Sequence, residues 1–354
     1  MLDLNEFMAL PAWHERLKKC GLPVLIYGMG DGCEKVLKAF ERYGIKCSGI
    51  FASDGFVRGR EFRGFRVTSL AEAEQEYPDF AVACAFGTSL PDVMQRIDSI
   101  AEKHLLVFPD CSAVGDECFD KDEFLGMQDR IMKVYSLLAD DASRKTFVNV
   151  LRFKISGDTA YLREIFCGED EPYELLKLGE EEVYCDLGAY TGDTVKEFIA
   201  HTGGRYKHIY ALEPSRRNFS KCVKNCLALD RISFYNAAAS DNDGTVFFSE
   251  GAGRQQMISE RGTAVSARSL DSILSGRGCS YIKYDVEGAD RSALLGSRKT
   301  IEQYSPKIRT AVYHRPYDLI DIPLLIHELQ PRYKLYLRQQ RYYPAWETEL
   351  IAIK

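Results

Sequence analysis

No Cys-x-x-Cys pair occurs among the eleven cysteines, so the sequence suggests neither a zinc ribbon nor a thioredoxin-type site. Cys222 and Cys226 stand four apart and would share a helix face, but two thiols alone do not make a structural zinc site. An odd number of cysteines without a paired framework points to a reducing compartment, with most of the thiols acting as small buried hydrophobes. Excess positive charge is also missing. The formal net charge is -6, and such a bulk field repels nucleic acid. No apolar run approaches the roughly 20 residues that span a bilayer. The opening residues, MLDLNEFMALPAW, carry Asp3 and Glu6 where a secretory leader has positive charge. These absences lead to the expectation of a cytoplasmic protein with neither a nucleic-acid nor a membrane partner.

What the chain does contain is a repeated alternation. Its 354 residues suggest about two domains at roughly 100–200 residues each, and 45% hydrophobic with 28% charged residues is an ordinary globular composition. From residue 23, PVLIYG reads as a buried strand and EKVLKAFERYG as a helix closed by Gly44; KCSGIFASD, FAVACAFG and LLVFPD read as further strands. Residues 115–180 differ. FDKDEFLGMQDRIMKVYSLLADDASRKTFVNVLRFKI reads as two amphipathic helices that could pack on either sheet, with Asp140, Asp141 and Ser143 as start signals for the second. From 181 the alternation resumes through EEVYCDLG, DTVKEFIAHTG, HIYALEP, SRRNFSKCVKNCLALD and ISFYNAAAS. The extended pieces TVFFSE and TAVSARSLD follow, then strands SYIKYDVEG and IRTAVYHR, helix IPLLIHELQ, and an antiparallel pair, YKLYLRQQ with ETELIAIK. The pattern predicts two Rossmann-like α/β units, 1–114 and 181–354, joined by a helical connector at 115–180. The second unit should hold a seven-stranded, mostly parallel sheet.

Such sheets bind ligands beyond the carboxyl ends of their strands. At the end of the first strand of the second unit stands VYCDLGAYTGDT, with Asp186, Gly188 and Gly192. Gly188 would let the backbone approach a ligand, Gly192 would allow close helix packing, and the positive helix end would face the pocket. A dinucleotide fingerprint spaces its glycines Gly-x-Gly-x-x-Gly to receive a pyrophosphate. Here Asp186 puts a carboxylate where a phosphate would be repelled. It suits a positive group, such as the ammonium of S-adenosylmethionine. The next strand ends in Glu213, placed to accept hydrogen bonds from both ribose hydroxyls. At the following strand end, Ala237 and Ala238 are small enough for an adenine ring to slide against the backbone. YIKYDVEG then directs Asp285 and Glu287 towards the reacting methyl.

DLGAYTGDT, ALEPSRRNF, AAASDNDGT and IKYDVEGAD together resemble the motifs of FkbM-type S-adenosylmethionine-dependent methyltransferases, over about 180–354. VYHRPYDLIDIPLLI looks like a feature of a sub-branch. The resemblance implies a class I methyltransferase fold and methylation of hydroxyl groups, often on sugars or polyketides. It adds Ala189, Tyr190 and Pro214 to the cofactor-binding candidates, although many members have Asn where Tyr190 stands. An alcohol needs a base within hydrogen-bond reach. The candidates are Asp285, Glu287 and His314, the last suited to work near neutral pH. Lys283 would need a depressed pKa to act as a base and otherwise anchors a carboxylate or a substrate oxygen. Glu287 and Arg315 are the candidates for acceptor contact. The spacing demands no metal, because Asp285 and Glu287 should face opposite ways on a regular strand.

The earlier turn, VLIYGMGDG, supplies Gly28, Gly30 and Gly32, but the third glycine of a strict fingerprint would fall at Cys33. Asp54, after FAS, lies where a ribose-binding acid could stand. With GREFRGFRV, the unit resembles nucleotide-sugar-binding domains of sialic-acid-type acyltransferases. Three readings stay open for it: a sugar-nucleotide or glycan site, a structural or dimerisation unit, and a working NAD site. Near the C-terminus, Tyr304, Tyr313, Tyr317, Tyr333, Tyr336, Tyr342 and Tyr343 interleave with Arg309, Arg315, Arg332, Arg338 and Arg341. Tyrosines that pack on sugar faces and arginines that pair with anions would suit an anionic carbohydrate. The leading expectation is an O-methyltransferase acting on a sugar, glycan precursor or related small molecule, with a homodimer contact if the first unit dimerises. The alternatives are an NAD-dependent oxidoreductase and a non-catalytic nucleotide-sugar-binding module.

Overall fold

The computed structural model describes residues 2–57, 59, 61–248, 258–259 and 262–354. β1 (Val24–Tyr27) is buried along its whole length, as a central strand covered on both faces must be. Around it form β2 (Cys47–Phe51), β3 (Glu61–Phe62), β4 (Phe65–Thr68), β5 (Ala81–Cys84) and β6 (Leu105–Val107) in the order β3-β4-β2-β1-β5-β6. All neighbours run parallel except β3 and β4, a hairpin that the sequence reading missed. Its turn places both Arg63 (φ 50°) and Gly64 (φ 80°) in the left-handed region, as a tight two-residue hairpin turn demands.

The second sheet is built from β7 (Val183–Leu187), β8 (His208–Leu212), β9 (Ile232–Tyr235), β14 (Tyr281–Tyr284), β15 (Lys307–Ala311), β16 (Lys334–Gln339) and β17 (Thr348–Ile353). Their order is β16-β17-β15-β14-β7-β8-β9, with β17 alone antiparallel to its neighbours. This is the class I methyltransferase arrangement, and the expected terminal antiparallel pair is β16 with β17. The strand order reverses between β7 and β14, and that switch point opens the crevice in which such sheets bind ligands. Four further strands, β10 (Ala238–Ala239), β11 (Gly244–Phe248), β12 (Ile258–Ser259) and β13 (Thr263–Arg268), make a separate small sheet. The last two residues of TVFFSE lie outside the described residues.

The connector forms five helical pieces rather than two, spanning Lys121–Leu125, Gln128–Leu137, Asp141–Ser156, Ala160–Arg163 and Glu171–Leu176. The helix Asp141–Ser156 starts where the sequence signalled, with the Asp140 carboxylate accepting the Ser143 N–H at 2.7 Å, and stops at Gly157 (φ 67°). It packs on both sheets. Ser143 Oγ accepts the Leu337 N–H of β16 at 2.9 Å, and the Gly157 carbonyl accepts the Phe108 N–H just past β6 at 2.9 Å. Lys154 and Asp110 form a buried ion pair at 2.7 Å between this helix and the exit of the first sheet. One apolar core therefore runs from Leu25 and Phe80 through Phe147, Leu151 and Phe153 to Leu335 and Leu350. No helix among the described residues is long and apolar enough to cross a membrane.

Candidate active site

The turn after β7 is set by a steric limit. A Cβ on Gly188 (φ 94°) would lie 2.0 Å from the Asp285 carbonyl oxygen, so only glycine lets this turn meet the exit of β14. The Gly188 and Ala189 N–H groups both donate to the Leu212 carbonyl, at 3.0 and 2.8 Å, which ties the turn to β8 as well. Gly192 (φ 84°) plays the packing role expected of it: a Cβ there would stand 2.7 Å from Cys226 Sγ. Between them Tyr190 takes φ 45° and leaves its ring half exposed.

The exits of β7, β8, β9 and β14 converge on one cleft of about 210 Å³. Gly188, Tyr190, Glu213, Pro214, Ala237, Ala238, Lys283, Asp285 and Glu287 all line it. The sequence reading did not single out Asp193, Thr194, Ser215, Asn218, Ala239, Val286 and Ala289, which line it too. Several of these sit inside the quoted motifs. Three cofactor-binding candidates do not line the cleft, Gly192 among them. Ala189 is fully buried under the turn, and Asp186 is fully buried as well. Thr194 Oγ1 donates to one Asp186 oxygen at 2.5 Å; the other lies 3.9 Å from Lys283 Nζ and has no hydrogen-bond partner among the described residues. Burial pushes the Asp186 carboxyl up, and the Lys283 ammonium acts against that.

Glu213 is 6% exposed. Its two oxygens accept the Tyr190 N–H at 3.0 Å and the Ser215 N–H at 2.9 Å. Burial raises its pKa to about 7 despite those bonds. Asn236 Nδ2 donates to the Glu213 and Pro214 carbonyls at 2.9 and 3.0 Å and holds this strand end in place.

The catalytic candidates cluster but do not fill the expected roles. His314 is 1% exposed and does not line the cleft. Its Nδ1 lies 2.8 Å from Asp290 Oδ2, and its Nε2 lies 3.3 Å from Asp285 Oδ1 and 3.7 Å from Glu287 Oε2. Burial opposes its charge, yet the Asp290 and Asp285 carboxylates outweigh burial and hold its pKa well above the ordinary histidine range. An imidazolium with both nitrogens engaged cannot take a proton, which corrects the general-base expectation. Lys283 is likewise charged. Burial disfavours the ammonium, but Asp285 at 3.4 Å and Asp186 raise its pKa above the ordinary value, so it is an anchor and not a base. Asp285 faces burial too, and Lys283 and His314 more than offset it, holding the carboxyl well below its usual range.

The expected divergence of Asp285 and Glu287 also fails. β14 ends at Tyr284, and Glu287 takes φ 50°, so both side chains reach the same imidazole. Asp290, His314 and Asp318 bring ligand atoms within 4.8 Å of one another, and within this group His314 Nδ1 is engaged by Asp290 at 2.8 Å. Burial and the neighbouring Asp290 raise the Asp318 carboxyl to about 7.

A second cleft adjoins the first and shares Glu287 and Ala289 with it. Arg315 belongs here; its Nε donates to the Gly288 carbonyl at 2.8 Å. Most of the arginine-tyrosine segment is spent inside the fold. Arg309 pairs with Glu349 at 2.8 Å, Arg338 pairs with Asp140 at 2.8 Å and also with Glu171, and the Tyr333 hydroxyl donates to the Pro306 carbonyl. In the first unit, a Cβ on Gly32 would fall 1.9 Å from the Ala85 carbonyl oxygen, and one on Gly28 would fall 2.7 Å from the Phe86 ring. Those glycines serve close packing, and Asp31 and Glu34 in the first helical turn disfavour a phosphate. The side chain of Asp54 lies outside the described residues.

Residues 186–341 match the family model described as the methyltransferase FkbM domain. This span is an FkbM methyltransferase domain. The crystal structure of methyltransferase FkbM from Methylobacillus flagellatus KT is similar over 98% of both chains, with a TM-score of 0.75 at 19% identity. The shared fold therefore includes the first unit and the connector as well as the FkbM domain. Looser likenesses cover about half of this chain. An rRNA methylase from Streptococcus thermophilus has a TM-score of 0.36 at 14% identity, over 52% of this chain and 93% of that one. Aeropyrum pernix fibrillarin, solved with bound S-adenosyl-L-methionine, has a TM-score of 0.34 at 11% identity, over 51% and 73%. No curated protein matches the chain significantly. The resemblance of the first unit to sialic-acid-type acyltransferase domains finds no support among these matches.

Proposed function

We propose that the protein is an S-adenosylmethionine-dependent O-methyltransferase whose acceptor is a hydroxyl of a sugar, glycan precursor or related small molecule. The observation that carries this reading is the convergence of four strand exits on one cleft, with Gly188 pressed against the Asp285 carbonyl. The residues present fit such a cofactor. Acidic Asp193, Glu213, Asp285 and Glu287 line the cleft, which disfavours a pyrophosphate and favours a ligand with positive groups. Glu213 would hold the ribose hydroxyls, Ala237 and Ala238 would admit the adenine, and the turn from Gly188 to Thr194 would receive the amino-acid end. When bound, S-adenosylmethionine supplies a methyl group activated by its sulfonium.

The chain's own residues then position the acceptor and take its proton. Lys283 and His314 hold Asp285 ionised in the first cleft, and Glu287 belongs to both clefts. An acceptor seated in the second cleft would present its hydroxyl to these carboxylates. Their low basicity is no obstacle, because a hydroxyl becomes strongly acidic only as its oxygen forms the new bond. Holding the oxygen in line and excluding water supplies most of the rate. In the second cleft, Glu117, Asp241, Glu287, Asp318 and Asp321 outnumber Arg291 and Arg315, which favours a neutral polyhydroxylated acceptor over a polyanion.

Calorimetric titration with S-adenosylmethionine and with NAD tests the cofactor. Binding of NAD without binding of S-adenosylmethionine sinks the reading. Transfer of label from methyl-labelled cofactor to a panel of sugars and nucleotide sugars tests the acceptor, and a labelled amine in place of a labelled hydroxyl would overturn O-methylation.

A further inference from the structure

Past β6 the chain folds back in a short hairpin. The Ser112 N–H donates to the Glu117 carbonyl at 2.9 Å, and the Phe119 N–H donates to the Asp110 carbonyl at 3.1 Å. These bonds flank Cys111 and Cys118, which face each other across an antiparallel bridge. They form a non-hydrogen-bonded pair, in which Cα atoms approach to about 4.5 Å, within the range a disulfide spans. The two sulfurs share a hydrogen bond at 3.4 Å. Both residues are half-buried, whereas Cys33, Cys84, Cys185, Cys222, Cys226 and Cys279 are buried.

The pair is chemically asymmetric. The shared hydrogen bond draws the Cys118 thiol below its ordinary range, with help from the positive charges of Arg42 and Lys35. The same bond, together with burial, pushes Cys111 up. Cys118 is the less buried of the two and has Arg42 beside it, which favours its thiolate over that of Cys111. Only the thiolate is a nucleophile.

We propose that Cys111 and Cys118 form a thiol–disulfide exchange site for small disulfide oxidants, with Cys118 as the attacking sulfur and Cys111 as the resolving one. The Cys118 thiolate attacks one sulfur of the oxidant. The oxidant's S–S bond breaks, a mixed disulfide forms on Cys118, and the first leaving thiolate takes the proton from Cys111. The Cys111 thiolate then attacks the Cys118 sulfur, forms the intramolecular disulfide and expels the second thiolate, which is protonated by solvent. Two electrons pass from the cysteine pair to the oxidant. The cross-link would close the neck of a hairpin that touches the active-site loops. The Val114 N–H donates to the His314 carbonyl at 3.3 Å, and Glu117 lies 4.0 Å from Arg315 beside the second cleft.

The test treats the full chain with glutathione disulfide, alkylates the remaining thiols, and digests with trypsin. Cleavage after Lys103 and Lys121 releases both cysteines on one peptide with no other cysteine. The expected result is a peptide lighter by two hydrogens that takes up no alkylating reagent. In Cys111→Ser, with no resolving thiol, Cys118 should retain a glutathione adduct. In Cys118→Ser, modification of Cys111 should be at least about tenfold slower. A doubly alkylated peptide from the parent chain, at oxidant levels that fully oxidise dithiothreitol, would overturn the proposal. So would equal reactivity of the two single variants. If a serine variant fails to fold, the mass of the parent peptide decides alone.

Discussion

Replacing Glu213 by glutamine should stabilise the FkbM domain at alkaline pH while weakening its hold on the cofactor. The carboxyl is 6% exposed, and burial lifts its pKa from the ordinary 4.5 to about 7. At about 1.4 kcal/mol per pH unit, that difference amounts to roughly 3 kcal/mol. The folded value lies above the unfolded one. Below pH 4.5 both states hold the proton and the group costs the fold nothing; the cost grows as pH rises and is complete above about 7. Glutamine never ionises. It resembles the protonated acid, including the mismatch between one of its polar atoms and the Tyr190 or Ser215 N–H. The variant should therefore match the parent near pH 4.5 and exceed it by up to about 3 kcal/mol at pH 8. Urea midpoints of both proteins, measured at intervals from pH 4.5 to 8.5, give the difference directly. A difference that does not change with pH would refute a raised Glu213 pKa. The same substitution should weaken S-adenosylmethionine binding by roughly ten- to a thousand-fold, since hydrogen bonds to a charged acceptor contribute about 1.5–3 kcal/mol each. Unchanged affinity would detach Glu213 from the ribose and require the cofactor's pose to be rebuilt.

Gly188→Ala forces a Cβ against the Asp285 carbonyl at 2.0 Å and should cost about 2–4 kcal/mol in urea unfolding, with cofactor binding lost. Gly276→Ala, also at positive φ (82°) but with nothing within 4 Å, should cost about 1 kcal/mol and spare binding. Nitrogen-15 NMR should find the His314 ring doubly protonated at pH 8, and a neutral ring there would restore it as a general-base candidate. Turnover of His314→Asn should fall by roughly 10²–10⁴-fold through misplacement of Asp285, with cofactor affinity nearly intact; wild-type turnover would remove the imidazolium from the mechanism. Lys154→Ala leaves Asp110 as an unpaired buried charge and should cost about 3–5 kcal/mol by chemical denaturation, whereas Lys154→Met with Asp110→Asn should cost less than either change alone.

The sequence by itself determined the two βα series, the helical segment between them, and most of the chain positions that line the cleft. Those features follow from local rules. Short buried strands and amphipathic helices declare themselves by period, and the turns at Gly188 and Gly192 need backbone angles that glycine alone adopts without strain. Glu213 and the Ala237–Ala238 pair were legible because strand ends in such a sheet point the same way. The tertiary structure decided the charge states and the facing of side chains. His314 reads as a neutral-pH base in isolation, but Asp290 and Asp285 arrive from another segment and keep it protonated. Arg338 looked available for an anionic ligand until Asp140, 198 residues away, paired with it. Asp285 and Glu287 share one imidazole because β14 stops at Tyr284 and Glu287 turns left-handed, where a strand pattern alone would have parted them. Backbone conformation is chosen largely by neighbouring residues in the chain. A carboxyl's pKa or an imidazole's proton is set by burial and by charges within a few ångströms, and those neighbours are assembled only when the chain has folded.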